Sequence, residues 1–347
     1  MPAMSATSHS VSFPWHRATL RRVSRARVGY RASSGFRAGA SSSATSHAHE
    51  EKEAEEYRAH LYESVDLWST SRRASLPGGG AEHNPETTPP RFTLSYMPMR
   101  NRAEVSRMIL ESTGCPYHFD VVGFKKWTDE VKPASVPEWR GDFGKLPVLT
   151  SHDAAHALPD GTPLRIGQET AITRFLAREC GVAGDDAAEE ARLDSLFAFY
   201  FCTLRNNGLT HEGEHYSAGA LREEAARSAS ERLTRTTAAK YRATKRVNDL
   251  SVAERSLSAL GAFEELLERS DTGFLLSRTE PSYVDLALFV ELLELSEDEH
   301  VPDFADVFHL PRLGAFLETT RARPRLDAYL RSPRRMPRYA RPGYVYV

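Results

Sequence analysis

The chemistry legible in this sequence is concentrated in "FTLSYMPMRNRAEVSRMILE", Phe92 to Glu111, where one phenol is followed by two guanidinium groups two residues apart. Phe92, Leu94 and Tyr96 alternate with Thr93, Ser95 and Met97 at the period of a strand. Val105, Met108 and Ile109 then recur at the i, i+3, i+4 spacing of a helix. Tyr96 therefore stands where a strand stops, ahead of Pro98, Arg100 and Arg102. In α/β layers, ligands bind in the crevice outside the carboxyl ends of the strands, so a phenol at that point is placed for chemistry as well as for packing. On this stretch alone, half-buried packing is the commoner role of a strand-end tyrosine.

The elements that position this phenol can be read from the segments that follow. "PYHFDVVGF" is a second strand-like run, "FGKLPVLTS" (Phe143 to Ser151) a third, and "TPLRIGQETAITRFLAREC" carries a short strand into a helix with Ile172, Phe175 and Leu176 on one face. The order is β-α-β, then β-β-α, which predicts two layers around a mixed sheet. From Glu189 the apolar spacing is helical throughout, in "EEARLDSLFAFYFCTL", "VAERSLSALGAFEELLERS", "PSYVDLALFVELLEL" and "LPRLGAFLETTRARPRLDAYL". The fold class predicted is thus an α/β domain followed by an all-α domain. In "EPSYVDLALF", Ser282 reads as an N-cap answered by Asp285 three residues later.

Composition excludes several classes. The 347 residues carry a net charge of −2, which favours no nucleic-acid partner. No apolar run approaches the 18 residues that a membrane span needs. Cys115, Cys180 and Cys202 are far apart and lack C-x-x-C spacing, so neither a metal site nor a disulfide framework is expected, and buried thiols are the default.

Charge is uneven along the chain. No Asp or Glu precedes Glu50, while Arg17, Arg21, Arg22, Arg25, Arg27, Arg31 and Arg37 lie among serines and alanines. Residues 1–49 therefore read as an organellar transit peptide, mitochondrial by composition, with a basic tail in a cytoplasmic protein as the alternative. Residues 50–91 read as a short acidic helix, with Leu61, Val65 and Trp68 on one face, and a Gly/Pro/Ser linker. Residues 92–182 form the α/β domain and 183–333 the helical domain, with a charged insert near 205–251. Residues 334–347 are a basic, aromatic tail.

Three motifs together, "SYMPMRNRAE", "FGKLPVL" and "EPSYVDLALF", resemble the cytosolic-type glutathione S-transferases, most of all the tyrosine-type sigma class. The resemblance covers Phe92 to about Pro333. It implies a thioredoxin-like N-terminal domain, a helical C-terminal domain, glutathione as co-substrate without a metal, and a homodimer. It further implies that Tyr96 stabilises the glutathione thiolate and that Arg102 supports both Tyr96 and the charge of the peptide. Pro147 would be cis, Leu146 would offer its backbone to the cysteinyl residue, Lys145 would reach the peptide, and Gln168 would hold the γ-glutamyl end. Trp127 matches the tryptophan at the glycyl carboxylate, with Trp139 as a rival and Lys132 beside it.

Departures from that pattern accompany the matches. Glu169 replaces a serine or threonine and is expected to face the α-carboxylate of glutathione, repelling it. Asn101 replaces a glycine, and the acidic residue that related classes lend to a partner subunit falls on Ala198. Two functions follow: a transferase conjugating glutathione to small electrophiles, or performing a glutathione-dependent isomerisation, and, as the alternative, a non-catalytic docking subunit of an organellar assembly.

Overall fold

Phe92–Tyr96 form a strand, as their alternation predicts, and it sits at the centre of a mixed sheet. The computed structural model describes residues 73–78, 89–97, 99–123, 143–205, 216–297, 301–332, 334–336 and 338, with the backbone alone for 73–78, 216 and 247. The first 49 residues, the acidic segment Glu50 to Trp68, and Trp127, Lys132 and Trp139 lie outside the described residues.

The sheet is built from β1 (Arg73–Gly78), β2 (Phe92–Tyr96), β3 (Tyr117–Val122), β4 (Val148–Ser151) and β5 (Arg165–Gly167). Their spatial order is β1-β3-β2-β4-β5. β2 runs parallel to β3, with Tyr96 beside Val121, and antiparallel to β4, with Ser95 beside Val148. β4 in turn pairs antiparallel with β5, Val148 beside Gly167. Phe92 and Leu94 are fully buried, as befits a central strand. The helix α1 (Glu104–Thr113) follows β2 through a 3-10 turn at Asn101–Ala103, and α2 (Glu169–Glu179) follows β5. This is the thioredoxin-like β-α-β, β-β-α order, and the Leu146–Pro147 bond is cis.

The linker reading of the segment before Phe92 needs one correction. Arg73–Gly78 pair antiparallel with the whole of β3, from Arg73 beside Val122 to Gly78 beside Tyr117. Strand addition at a sheet edge is made by backbone groups and needs no apolar alternation, so the sequence carries no periodic signal for it. Pro77, which has no N–H to give, is tolerated because β1 is an edge.

Beyond β5 the described residues are helical: α3 (Ala187–Thr203), α4 (Tyr216–Ala225), α5 (Arg235–Thr244), α6 (Val252–Glu268), α7 (Tyr283–Ser296), α8 (Phe304–Val307), α9 (Pro311–Arg321) and α10 (Pro324–Arg331). The charged insert supplies α4 and α5, which pack on α6. The segment "LPRLGAFLETTRARPRLDAYL" divides in two, because Pro311 and Pro324 each open a helix at a position where a missing N–H costs nothing. Cys202 is exposed, so the buried-thiol default fails there.

α7 is the axis of the helical domain. From Tyr283 to Leu295 every residue is buried, and a helix enclosed on all sides, mostly apolar, belongs in a core. Its N-terminus has the expected capping box: the Asp285 amide donates to Ser282 Oγ, and the Ser282 amide donates to Asp285 Oδ2 at 2.8 Å. Asp285 Oδ1 also accepts from the Leu275 amide, tying the preceding turn to the helix.

Three acids on or beside α7 are answered by arginines, Glu294 and Glu111 buried and Glu297 half-buried. Arg338 Nε meets Glu294 Oε2 at 2.6 Å, and Glu297 is shared by Arg100 Nη1 at 2.6 Å and Arg335 Nη2 at 2.8 Å. Arg334 meets Glu111, a fully buried acid on α1, at 2.9 Å. The first part of the basic tail is thus packed into the body. The remaining acid, Glu291, has one carboxylate oxygen without a hydrogen-bond partner.

Candidate functional site

The sheet register gathers the candidate residues at one end of the molecule. Pairing in β2–β4 ends at Ser95 beside Val148, and in β4–β5 at Val148 beside Gly167. Continued by one residue, both ladders set Pro147 between Tyr96 and Gln168. The half-buried Leu146 precedes the ladder, which leaves its backbone outside the paired strands, and Lys145 next to it is exposed.

Tyr96 is 5% exposed. Burial pushes its phenol up to about 12, helped by the nearby Glu169 carboxylate and opposed by the charges of Arg102 and Arg205 and by a hydrogen bond from the Arg102 backbone N–H to the phenol oxygen. The phenol therefore keeps its proton at neutral pH. In that state it is a donor, the role that stabilising a nearby anion requires.

Gln168 is exposed and stands at φ 75, ψ 122 immediately before α2, and its side chain makes no capping bond. A non-glycine residue held in the left half of conformational space costs of order 1–3 kcal/mol, and such residues cluster where a site needs a particular backbone shape. Its amide is left for another partner.

Glu169, the first residue of α2, departs from the expected repulsive role. It is 5% exposed, and both carboxylate oxygens are taken: Oε1 accepts from Arg205 Nε at 2.8 Å and Oε2 from Arg102 Nη1 at 3.2 Å. Flanked by two guanidinium groups, it does not stand alone against an incoming carboxylate. It is an ion-pair partner of Arg102 and Arg205 within the site. Arg102, by contrast, is paired on one side while its side chain is 41% exposed.

Asn101 has φ 38, a conformation that asparagine tolerates better than most side chains and that a glycine would also adopt. Its Oδ1 accepts from Arg205 Nη2 at 3.4 Å. Arg205 is the residue that sequence reasoning missed. It closes α3 at the edge of the charged insert, where an arginine looks like solvated surface, yet its side chain is 1% exposed. The signal was indirect: Asn101 offers an acceptor where the resembled family has a glycine, Glu169 offers a charge where it has a hydroxyl, and one buried donor group satisfies both.

Comparison with known proteins bears on the helical domain. Residues 231–333 match the family model of the glutathione S-transferase C-terminal domain. The chain carries a glutathione S-transferase C-terminal domain. It is similar to a probable glutathione S-transferase 6 of Caenorhabditis elegans, 36% identical over 105 residues, which are 30% of this chain and 43% of that protein. It is also similar to a hematopoietic prostaglandin D synthase of Gallus gallus, 34% identical over 107 residues, 31% of this chain and 45% of the relative. The chain thus spans about half the length of the curated relatives it matches. Among solved structures, a sigma class glutathione transferase of Fasciola hepatica aligns with a TM-score of 0.46 and 24% identity, over 69% of this chain and 95% of that one.

The structure brings together Tyr96, Arg102, Pro147, Gln168 and Glu169, with Leu146 and Lys145 at the same end of the sheet. Ala198 is exposed on α3 and supplies no charge. Trp127 and Lys132, expected at the glycyl carboxylate, lie outside the described residues. Among the described residues no group of His, Cys, Asp or Glu gathers where a metal ion could be held, and no helix is long and apolar enough to cross a membrane.

Proposed function

We propose that this protein joins the thiolate of glutathione to small electrophiles, or isomerises a substrate with glutathione, with Tyr96 as the group that stabilises the thiolate. The observation that carries the reading is the protonated phenol at the carboxyl end of β2. A free thiol has a pKa of about 8.5, so only a few per cent is thiolate at pH 7. An O–H aimed at the sulfur favours the anion, and each unit of depression corresponds to about 1.4 kcal/mol.

The peptide would lie along the start of β4 as an added strand, its cysteinyl backbone on Leu146. Gln168 would take the γ-glutamyl end, with Arg102 adding charge, and Lys145 would meet the peptide from the exposed side. Trp127 and Lys132 remain the candidates for the glycyl carboxylate. We place the enzyme in a homodimer within mitochondria, on the strength of the family resemblance and of the arginine-rich, acid-free N-terminus.

The burial of Tyr96 favours a second reading, in which the fold serves as a docking subunit and the tyrosine only packs. Calorimetric titration of the full chain with glutathione, followed by conjugation to an aryl halide, separates the two. Saturable binding with turnover supports the transferase, and the absence of both supports the docking subunit.

A further inference from the structure

Two residues that ought to spoil a glutathione site, Asn101 and Glu169, are both bonded to a third residue that no motif contains. Arg205 comes from the end of α3 in the helical domain, whereas Asn101 and Glu169 belong to the thioredoxin-like layer. The contact is enclosed: side-chain exposures are 1% for Arg205 and 4% for Glu169. Resting on the transferase reading above, we propose that Arg205 is a positioning residue of the glutathione site: it captures Glu169 and Asn101 and leaves the outward side of Arg102 to attract the α-carboxylate of glutathione.

The charges decide the matter. Without Arg205, Glu169 and Arg102 would cancel, and the buried carboxylate would compete with the ligand's carboxylate for the one remaining guanidinium. With Arg205 present, Glu169 spends one oxygen on a cation that never reaches solvent, so Arg102 is pinned by the other oxygen and still carries unbalanced charge. Glu291 also faces Arg205 electrostatically; burial pushes its carboxyl up to about 7, so near neutrality it is about half ionised and offsets only part of that charge. The pairing fixes geometry as well. Asn101 opens the turn into α1, one residue before Arg102, whose backbone N–H reaches the Tyr96 phenol. A shift of Arg205 would therefore disturb the anion subsite and the setting of the phenol together.

The test uses the full chain and glutathione, with affinity measured by calorimetry at low and high salt. Arg205→Met should weaken binding by about tenfold, with the larger loss at low salt. Adding Glu169→Gln to that variant removes the competing carboxylate and should return affinity to within about threefold of the wild type, a rescue that lost packing alone would not give. The α-carboxamide analogue of glutathione should be nearly indifferent to both changes. Should Arg205→Met not fold, Glu169→Gln alone decides: it removes one negative charge beside Arg102 and should tighten glutathione several-fold at low salt, and unchanged or weaker binding would overturn the proposal. Wild-type binding with Arg205→Met unchanged, or without rescue, overturns the role of Arg205 alone. A wild type that binds no glutathione overturns the transferase reading and this role with it.

Discussion

The phenol oxygen of Tyr96 accepts the backbone N–H of Arg102, while the guanidinium of the same arginine reaches Glu169 at 3.2 Å. One residue thus orients the phenol with its main chain and tethers the neighbouring charge cluster with its side chain. The link joins the carboxyl end of β2 to the start of α2, the two points between which the γ-glutamyl group would have to lie. It also accounts for two arginines spaced by one residue after the strand. Arg100 turns toward the helical domain and pairs with Glu297, whereas Arg102 turns toward the site.

The first prediction concerns pH and rate. With the phenol pushed up to about 12, Tyr96 remains a donor across the working range. Conjugation should therefore rise with pH through the pKa of the bound thiol and show no descending limb before about pH 9.5. A fall in kcat between about pH 8 and 9.5, with the far-ultraviolet circular dichroism unchanged, would count against a neutral phenol donor.

A second prediction follows from Glu291. Its buried carboxyl is raised from 4.5 to about 7, chiefly by desolvation, with Glu294 and Glu169 adding and Arg205 and Arg338 opposing. The folded state thus holds the proton more tightly than the unfolded chain. This contribution to stability is complete below about pH 4.5 and is lost as pH rises through 7. Asp285, raised to about 6, acts in the same direction, while Glu297, lowered to about 2 chiefly by Arg335 and Arg100 against its burial, contributes above pH 4.5 and fades only in acid. Glu291→Gln should match the wild type near pH 5 and exceed it by on the order of 2–4 kcal/mol near pH 8. Thermal melts across that range give the comparison, and parallel curves would refute the assignment.

The tail supplies a third. Ending the chain at Pro333 removes Arg334, Arg335 and Arg338 from the acids Glu111, Glu297 and Glu294. Stranding buried carboxylates costs about 3–5 kcal/mol per broken pair. The lower end applies here, because Glu297 keeps Arg100 and Glu111 keeps the Tyr117 hydroxyl. Even one such pair, near 3 kcal/mol, would lower Tm by about 6–12 °C in a folded body of about 150–250 residues, and three pairs are lost here. An unchanged Tm would mean that these arginines are surface ornaments of the fold.

The strands and helices were legible because each rests on local periodicity. Alternation marks Phe92 to Tyr96, the Ser282–Asp285 box marks the start of α7, and "FGKLPVL" places Pro147 at the head of β4. What escaped sequence reasoning depends on partners far away in the chain. β1 is recruited by the open edge of β3 and has no pattern of its own. Glu169 looked repulsive because its neutralising arginine lies 36 positions later, in a segment whose charge suggested solvent. The packing of the tail arginines escaped for the same reason, since a run of basic residues says nothing of the buried acids waiting for it.

The N-terminus gives a fourth prediction. Fused to a fluorescent protein, residues 1–49 should direct it into mitochondria, and replacing their arginines with glutamine should abolish import. A diffuse cytoplasmic signal from the unaltered fusion would remove the organellar assignment and leave the proposed chemistry untouched.

The most direct test of the central claim is the pKa of the glutathione thiol bound to the full chain, followed by thiolate absorbance against pH in the wild type and in Tyr96→Phe. If the phenol stabilises the thiolate, the wild-type complex should titrate at least one unit below the free thiol value of about 8.5. Tyr96→Phe should raise it back toward that value, with glutathione affinity within about threefold and kcat reduced about 10²–10³-fold. An identical thiol pKa in the two proteins, with equal turnover, would contradict the account and leave Tyr96 as a packing residue at the end of β2.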